Sequence, residues 1–313
     1  MRILIVGAGA VGGYFGGRLL QAKRDVTFLV RAARASRLRE TGLLIQSPLG
    51  DLALRDPPTV QPEALRQPFD LILLSCKAYD LEEAISAFAP AVGAASAVLP
   101  LLNGMRHLEL LQSRFGAEAV LGGQCIISSA LDAQGRIVHL NDLHTLTFGE
   151  RTAPHSARAA AILQELAGAT FEARLSAAIT QDMWEKWVFI AALAGITCLM
   201  RSTIGDIGAA DPAPLAAELY AECAQIASDA GHAPGPAMRQ RSLAALTTAG
   251  SPLTASMLRD IENGGRTEVD HILGDLLRRR TRNSGGAPSH SLLELAHAHI
   301  RAYESRRQRE SSG

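Results

Sequence analysis

Short, unbroken apolar runs alternate with helix-like segments along the first half of the chain: RILIV at 2–6, YFGGRLLQAKR at 14–24, DVTFLV at 25–30, FDLILLSC at 69–76 and ASAVLPLL at 95–102. Apolar runs of this length without alternation are strands buried on both faces, and crossover helices between them give a parallel sheet. After about residue 118 come AVLGGQCIISSAL, GRIVHL and TLTFGE, with DAQG as a turn between the first two. They predict antiparallel or mixed strands that finish the same sheet. From about Ala177 the apolar positions take helical spacing, in segments 177–200, 212–230, 235–247, 254–263, 267–282 and 289–305. Glycine and proline breaks such as GHAPGP, AGSP and SGGAPS separate these segments. The expectation is an α/β chain with a doubly wound domain over 1–175 and an all-helical domain over 176–313.

Composition supports that division and narrows the class. A chain of 313 residues exceeds the usual single-domain size, and 47% hydrophobic against 20% charged residues excludes a disordered chain. Basic and acidic residues balance at 31 each, so no global field advertises a nucleic acid or a membrane surface. Only RAYESRRQRESSG is locally basic, and it is expected to be a solvated, fraying end. Cys76, Cys125, Cys198 and Cys223 form no C-x-x-C pair and sit in apolar contexts, which predicts buried free thiols of a reducing cytosol. Glycine cuts the first apolar stretch below signal-peptide length, and 187–200 is too short to span a bilayer. A cytoplasmic protein without a membrane segment is expected. There is no H-E-x-x-H, and His139 and His144 of HLNDLH are expected at the surface, so no metal is expected either.

The first candidate chemistry lies in ILIVGAGAVGGYFGGRLL, where Gly7, Gly9 and Gly12 have G-x-G-x-x-G spacing directly after a strand and before a helix. Gly7 permits the tight turn, Gly9 lets a pyrophosphate approach the backbone, and Gly12 lets helix and strand pack closely. The helix N-terminus then offers amide donors to phosphate. This is a Rossmann-type dinucleotide site. The second strand ends at Arg31, where an NAD-specific site places an acid on the ribose; an arginine there, with Arg34 near by, favours the 2'-phosphate of NADPH.

The second candidate is MWEKWVFIAALAG at 183–195, an apolar run with one ammonium, Lys186, among two tryptophans. Such a lysine either extends to water along its stem or is held where its proton is used. Burial lowers an ammonium's pKa and brings its proton closer to the operating pH.

Taken together, ILIVGAGAVGGYFGGRL, FLVR, SCKAYD with Lys77, LLNGM with Asn103, WEKW with Lys186 and SMLRDIENGGRTEVDHILG with Ser256 and Glu268 resemble the ketopantoate reductase (2-dehydropantoate 2-reductase) family. The motifs occur in the family's order and over most of the chain. The resemblance implies a helical C-terminal domain like that of 6-phosphogluconate dehydrogenase, and NADPH-dependent reduction of a 2-oxo acid, with ketopantoate as the default substrate in pantothenate biosynthesis. It implies that Lys186 polarises the ketone and supplies the proton, with Glu268 holding it charged and oriented. Ser256 and Asn103 would bind substrate, while Lys77 and Asn103 would border the nicotinamide. A helical domain rich in apolar faces also admits a homodimer.

The sequence departs from the family at three places. Asparagines four and eight residues after the active lysine, which bind the family's substrate, are here Ile190 and Ala194, and the TPxN motif is APSH with His290. The two apolar residues lie on the same helix face as Lys186 but bring no hydrogen bond. They imply a less polar substrate than ketopantoate. Two other readings use the same residues: a non-catalytic NADP-binding sensor, and a dehydrogenase working in the oxidative direction.

Overall fold

The computed structural model describes residues 1–210, 214–281 and 291–311. It divides into two compact units, Met1–Asn103 with His107–Thr180, and Gly104–Arg106 with Gln181–Gly313.

The first unit runs β1 (Arg2–Val6), α1 (Ala10–Gln21), β2 (Asp25–Leu29), α2 (Ala32–Thr41), β3 (Leu43–Gln46), β4 (Leu52–Leu54), β5 (Thr59–Val60), β6 (Leu71–Leu74), α3 (Leu81–Phe88) and β7 (Ala97–Pro100). It continues through α4 (Arg106–Phe115), β8 (Gly122–Leu131), β9 (Ile137–Gly149), α5 (Ala157–Leu166) and β10 (Glu172–Leu175). One sheet is wholly parallel, in the order β5-β2-β1-β6-β7. Its central strand carries Ile3, Leu4 and Ile5 without solvent exposure, as the unbroken apolar run requires. The order reverses beside β1, so the carboxyl ends of β1 and β6 flank the switch point where doubly wound sheets collect ligands.

The strands after residue 118 do not finish that sheet. They build a second one, β10-β9-β3-β4 with β8 also on β9, and between β7 and the segment before β8 there is an isolated bridge, Val98 to Val120. GRIVHL and TLTFGE are one strand: the start of β9 pairs with β3 through Ile137 and Val138, and its end pairs with β10 through Thr145 to Phe148. The DAQG turn is present, with the Gly135 N–H donated to the Asp132 carbonyl at 2.9 Å. Helix α1 contributes glycines to both sheets. A Cβ on Gly16 would lie 2.5 Å from Phe28 of β2, and one on Gly17 would lie 2.8 Å from Leu43 of β3.

Three surface and core expectations change accordingly. His139 is 4% exposed, because β9 turns it inward to bond Ser47 Oγ at 2.9 Å, and the half-buried His144 bonds the Tyr14 hydroxyl at 2.8 Å. Cys125, Cys198 and Cys223 are buried free thiols, but Cys76 is only half-buried since it follows the end of β6. Burial pushes the Cys198 thiol up to about 12 and raises that of Cys223 as well, so both stay protonated.

The second unit is helical, as the 3.6-residue spacing predicts. It holds most of α6 (Ile179–Met200), then α7 (Ile204–Ala210), α8 (Leu215–Asp229), α9 (Pro236–Thr247), α10 (Ser256–Glu262), a π-helical turn (Asp270–Gly274), α11 (Asp275–Arg279) and α12 (Leu292–Ser311). Helix α6 is long and apolar enough to cross a membrane by length and composition, yet 67% of its apolar window is buried in the fold. Its Gly195 marks close packing: a Cβ there would lie 2.8 Å from Leu219 of α8 and 3.5 Å from Ala296 of α12. It is the core helix of this unit. The basic tail does not fray where described, because α12 continues to Ser311 and turns Glu304 into the core at 5% exposure.

Candidate active site

In the first unit the parallel register brings four expected residues to one edge of the sheet. Arg31 follows β2, Gly7 follows β1, Lys77 follows β6 and Asn103 follows β7, all beyond carboxyl ends. Gly7 has φ +93°, a backbone conformation that side chains disfavour. A Cβ on Gly12 would lie 2.0 Å from Ser75 Oγ and 2.3 Å from the Gly7 carbonyl, whereas one on Gly9 would meet nothing within 4 Å. The turn is thus closed on its strand side and open where a pyrophosphate would approach. With Gly9 as N-cap and no side-chain cap, the first turn of α1 keeps amide donors for an anion, so these residues fit a dinucleotide.

Ser75, Asp80 and Glu83 also shape this edge, and neither spacing nor periodicity marks them. Ser75 donates its hydroxyl to the Val6 carbonyl at 3.0 Å, tying the loop after β6 to the glycine turn. Arg34 does not stand open beside Arg31: its Nε donates to the Ala8 carbonyl at 3.0 Å and another nitrogen to the Gly135 carbonyl at 3.2 Å, so it braces the glycine turn. Burial lowers its pKa, with Arg37 adding to the effect. Arg31 is held by Glu83, through Nε at 3.0 Å and a terminal nitrogen at 2.6 Å, with Asp80 at 3.6 Å. The Glu83 hydrogen bond raises its pKa, burial opposes the rise, and the charges of Asp80 and Glu83 add to it.

In the second unit, Lys186, Ile190 and Ala194 lie on α6 at four-residue intervals. Lys186 and Ile190 are half-buried, while Ala194 is 3% exposed. Ser256 is the first residue of α10 and exposed. Glu268 is half-buried just before the π-helical turn, and its carbonyl accepts the N–H groups of His271 at 3.0 Å and Ile272 at 2.9 Å.

The segment carrying Glu268 is fixed to two helices. The indole N–H of Trp187, adjacent to Lys186, donates to the Ile272 carbonyl at 3.0 Å, which joins the lysine's helix to the π-helical turn. A turn of this kind leaves its helix's regular bonding and is frequent at functional sites. Arg279 lies 5.5 Å from the Trp187 ring and 5.7 Å from that of Trp184, a cation over two aromatic faces. From α12, Tyr303 donates its hydroxyl to the Gly265 carbonyl at 2.8 Å, and Glu304 accepts the Thr267 N–H at 2.5 Å. His290 lies outside the described residues. Among the described residues no group of three or more His, Cys, Asp or Glu is gathered as a metal site.

Comparison with known proteins bears on both units. The N-terminal model of ketopantoate reductase PanE/ApbA matches residues 3–153, and the C-terminal model of the same family matches residues 178–301. The chain belongs to the ketopantoate reductase PanE/ApbA family. It is an oxidoreductase of that type. Among relatives of this ketopantoate reductase family member, an uncharacterized oxidoreductase of Bacillus subtilis, YkpB, is 39% identical over 97% of this chain and 99% of its own. A 2-dehydropantoate 2-reductase structure from Geobacter metallireducens superposes with a TM-score of 0.86 at 26% identity, over 96% of this chain and 99% of its own. D-mandelate dehydrogenase with NADH and anilino(oxo)acetate shares the fold, with a TM-score of 0.85 at 21% identity, over 98% of this chain and all of its own, 100%. The fold expected from the sequence is the fold of this family.

Proposed function

We propose that this chain reduces a 2-oxo acid to a 2-hydroxy acid with NADPH, with ketopantoate to pantoate, a step of pantothenate biosynthesis, as the default reaction in the cytoplasm. The observation that carries the reading is the glycine turn, closed by Ser75 and open at Gly9, in a chain of this family that also keeps Lys186 and Glu268. Gly7, Gly9 and Gly12 would hold the pyrophosphate, Arg31 the 2'-phosphate, and Lys77 and Asn103 the nicotinamide end.

Bound there, NADPH would supply the hydride that the carbonyl carbon accepts. The protein's part is the oxygen. Lys186 donates a hydrogen bond to the carbonyl oxygen, stabilises the negative charge that grows on it, and gives it the proton that completes the hydroxyl. Glu268 orients the ammonium, and the Trp187–Ile272 bond keeps the lysine's helix in register with the glutamate's segment. Ser256 and Asn103 bind the substrate's carboxylate and neighbouring groups. Water returns the proton to Lys186 after product leaves.

A second reading concerns the substrate alone. Ile190 and Ala194 favour a 2-oxo acid with an apolar side chain over ketopantoate, whose hydroxyl they cannot bond. D-mandelate dehydrogenase, by its name, acts on an aryl 2-hydroxy acid, so the shared fold hosts such chemistry. NADPH consumption measured across 2-oxo acids tests both readings. Turnover of any of them supports the reaction class; high efficiency with ketopantoate and none with bulkier apolar acids would sink the second reading, and no turnover of any would sink the first.

A further inference from the structure

We propose that Glu83 sets the choice between the two nicotinamide dinucleotides, by competing with a 2'-phosphate for Arg31. The inference rests on the assignment of Arg31 to the ribose and goes beyond it.

The acid absent from the end of β2 is supplied from elsewhere. Glu83 lies in the first turn of α3, and its two carboxylate oxygens engage Arg31 Nε and a terminal nitrogen at 3.0 and 2.6 Å. That is the guanidinium edge a phosphate takes when it is bound by two parallel hydrogen bonds. Asp80, ending the short turn after Lys77, adds a second carboxylate at 3.6 Å. Since β1 lies between β2 and β6, the pair links loops on either side of the glycine turn. The two acids together outweigh the charge of Arg31, so the guanidinium is already compensated where a 2'-phosphate would meet it.

The two dinucleotides meet this corner differently. A 2'-phosphate must displace Glu83 from Arg31 and then sit beside the released carboxylate. A 2'-hydroxyl leaves the ion pair intact and donates a hydrogen bond to the carboxylate, as an acid at the end of β2 would accept in an NAD site. NADH is therefore accepted, and the preference for NADPH is smaller than Arg31 alone would give. Arg31 and Glu83 are 63% and 66% exposed, so the competition has the strength of a surface pair and its removal does not threaten the fold.

Titration of the full chain with NADPH and with NADH, followed by nucleotide fluorescence, decides the matter for wild type, Glu83→Gln, Asp80→Asn and Arg31→Ala. Glu83→Gln is expected to tighten NADPH by about fivefold, with NADH unchanged or weaker, and Asp80→Asn to shift the ratio the same way by less. The same gain is expected for adenosine 2',5'-bisphosphate over 5'-AMP, which isolates the 2'-phosphate. An NADPH-to-NADH affinity ratio unchanged or lowered by Glu83→Gln overturns the proposal. Unchanged NADPH affinity in Arg31→Ala overturns the cofactor assignment beneath it, whatever Glu83→Gln does.

Discussion

The Glu304 carboxylate accepts the backbone N–H of Thr267 at 2.5 Å, one residue before Glu268 and 37 residues away in sequence. Its other oxygen accepts Arg307 Nε at 3.2 Å, so the buried acid is bonded on both sides. Replacing it by leucine strands a buried N–H, at a cost of about 1–3 kcal/mol, and frees the segment that positions Glu268. The expected outcome for Glu304→Leu is a lower urea midpoint and a lower kcat, with both recovered in large part by Glu304→Gln, which keeps an acceptor oxygen. Unchanged kcat in Glu304→Leu would show that Glu268 does not depend on this anchor.

The glycine turn separates folding from binding. In Gly12→Ala the new Cβ meets Ser75 Oγ at 2.0 Å and the Gly7 carbonyl at 2.3 Å, and the backbone partner cannot move aside. We expect a loss of about 1–3 kcal/mol of stability, as for other overpacked sites. In Gly9→Ala the Cβ enters open space, so thermal unfolding is expected to match wild type while dinucleotide affinity falls. Thermal melts with and without NADPH distinguish the two variants.

Acid is expected to destabilise the fold through histidine. Burial lowers the pKa of His144, with the charges of His139 and Arg18 adding to it, and burial lowers that of His232, which stacks on Trp184. The unfolded chain therefore binds protons at about pH 6.5, before these folded-state groups do. Stability is full above that pH and is lost as pH falls through it toward the lower folded values. Urea midpoints between pH 5 and 8 should show this slope, and His144→Gln should flatten it.

Four strands of the parallel sheet and the glycine turn were legible because β1, β2, β6 and β7 are largely apolar and the turn chemistry is local, whereas β5 has only two residues and left no pattern. The second sheet was not legible. Its strands LLIQ, LAL and EARL are short and half-exposed, and β3 finds β9 more than ninety residues later, a pairing set by tertiary contact rather than by periodicity. The same limit applies to the site. Gly7, Gly9 and Gly12 form a contiguous motif, but the acid that meets Arg31 lies 52 residues away on α3, and Glu304 lies in a tail whose charge suggested a solvated end.

Substrate choice should respond to Ile190, half-buried one turn beyond Lys186. Ile190→Asn restores an amide at helical spacing from the lysine. One neutral hydrogen bond, about 0.5–1.5 kcal/mol, corresponds to a gain of roughly two- to tenfold in kcat/KM for ketopantoate relative to phenylpyruvate. A ratio that moves the other way would place Ile190 away from the substrate.

The proposed reduction turns on the Lys186 ammonium protonating the substrate oxygen. Its most direct test is kcat for NADPH-dependent 2-oxo acid reduction by Lys186→Ala, measured beside the NADPH dissociation constant of the same protein. A kcat lower by about 10²–10⁴ is expected, with NADPH affinity unchanged. Undiminished kcat in Lys186→Ala would remove the lysine from the proton transfer.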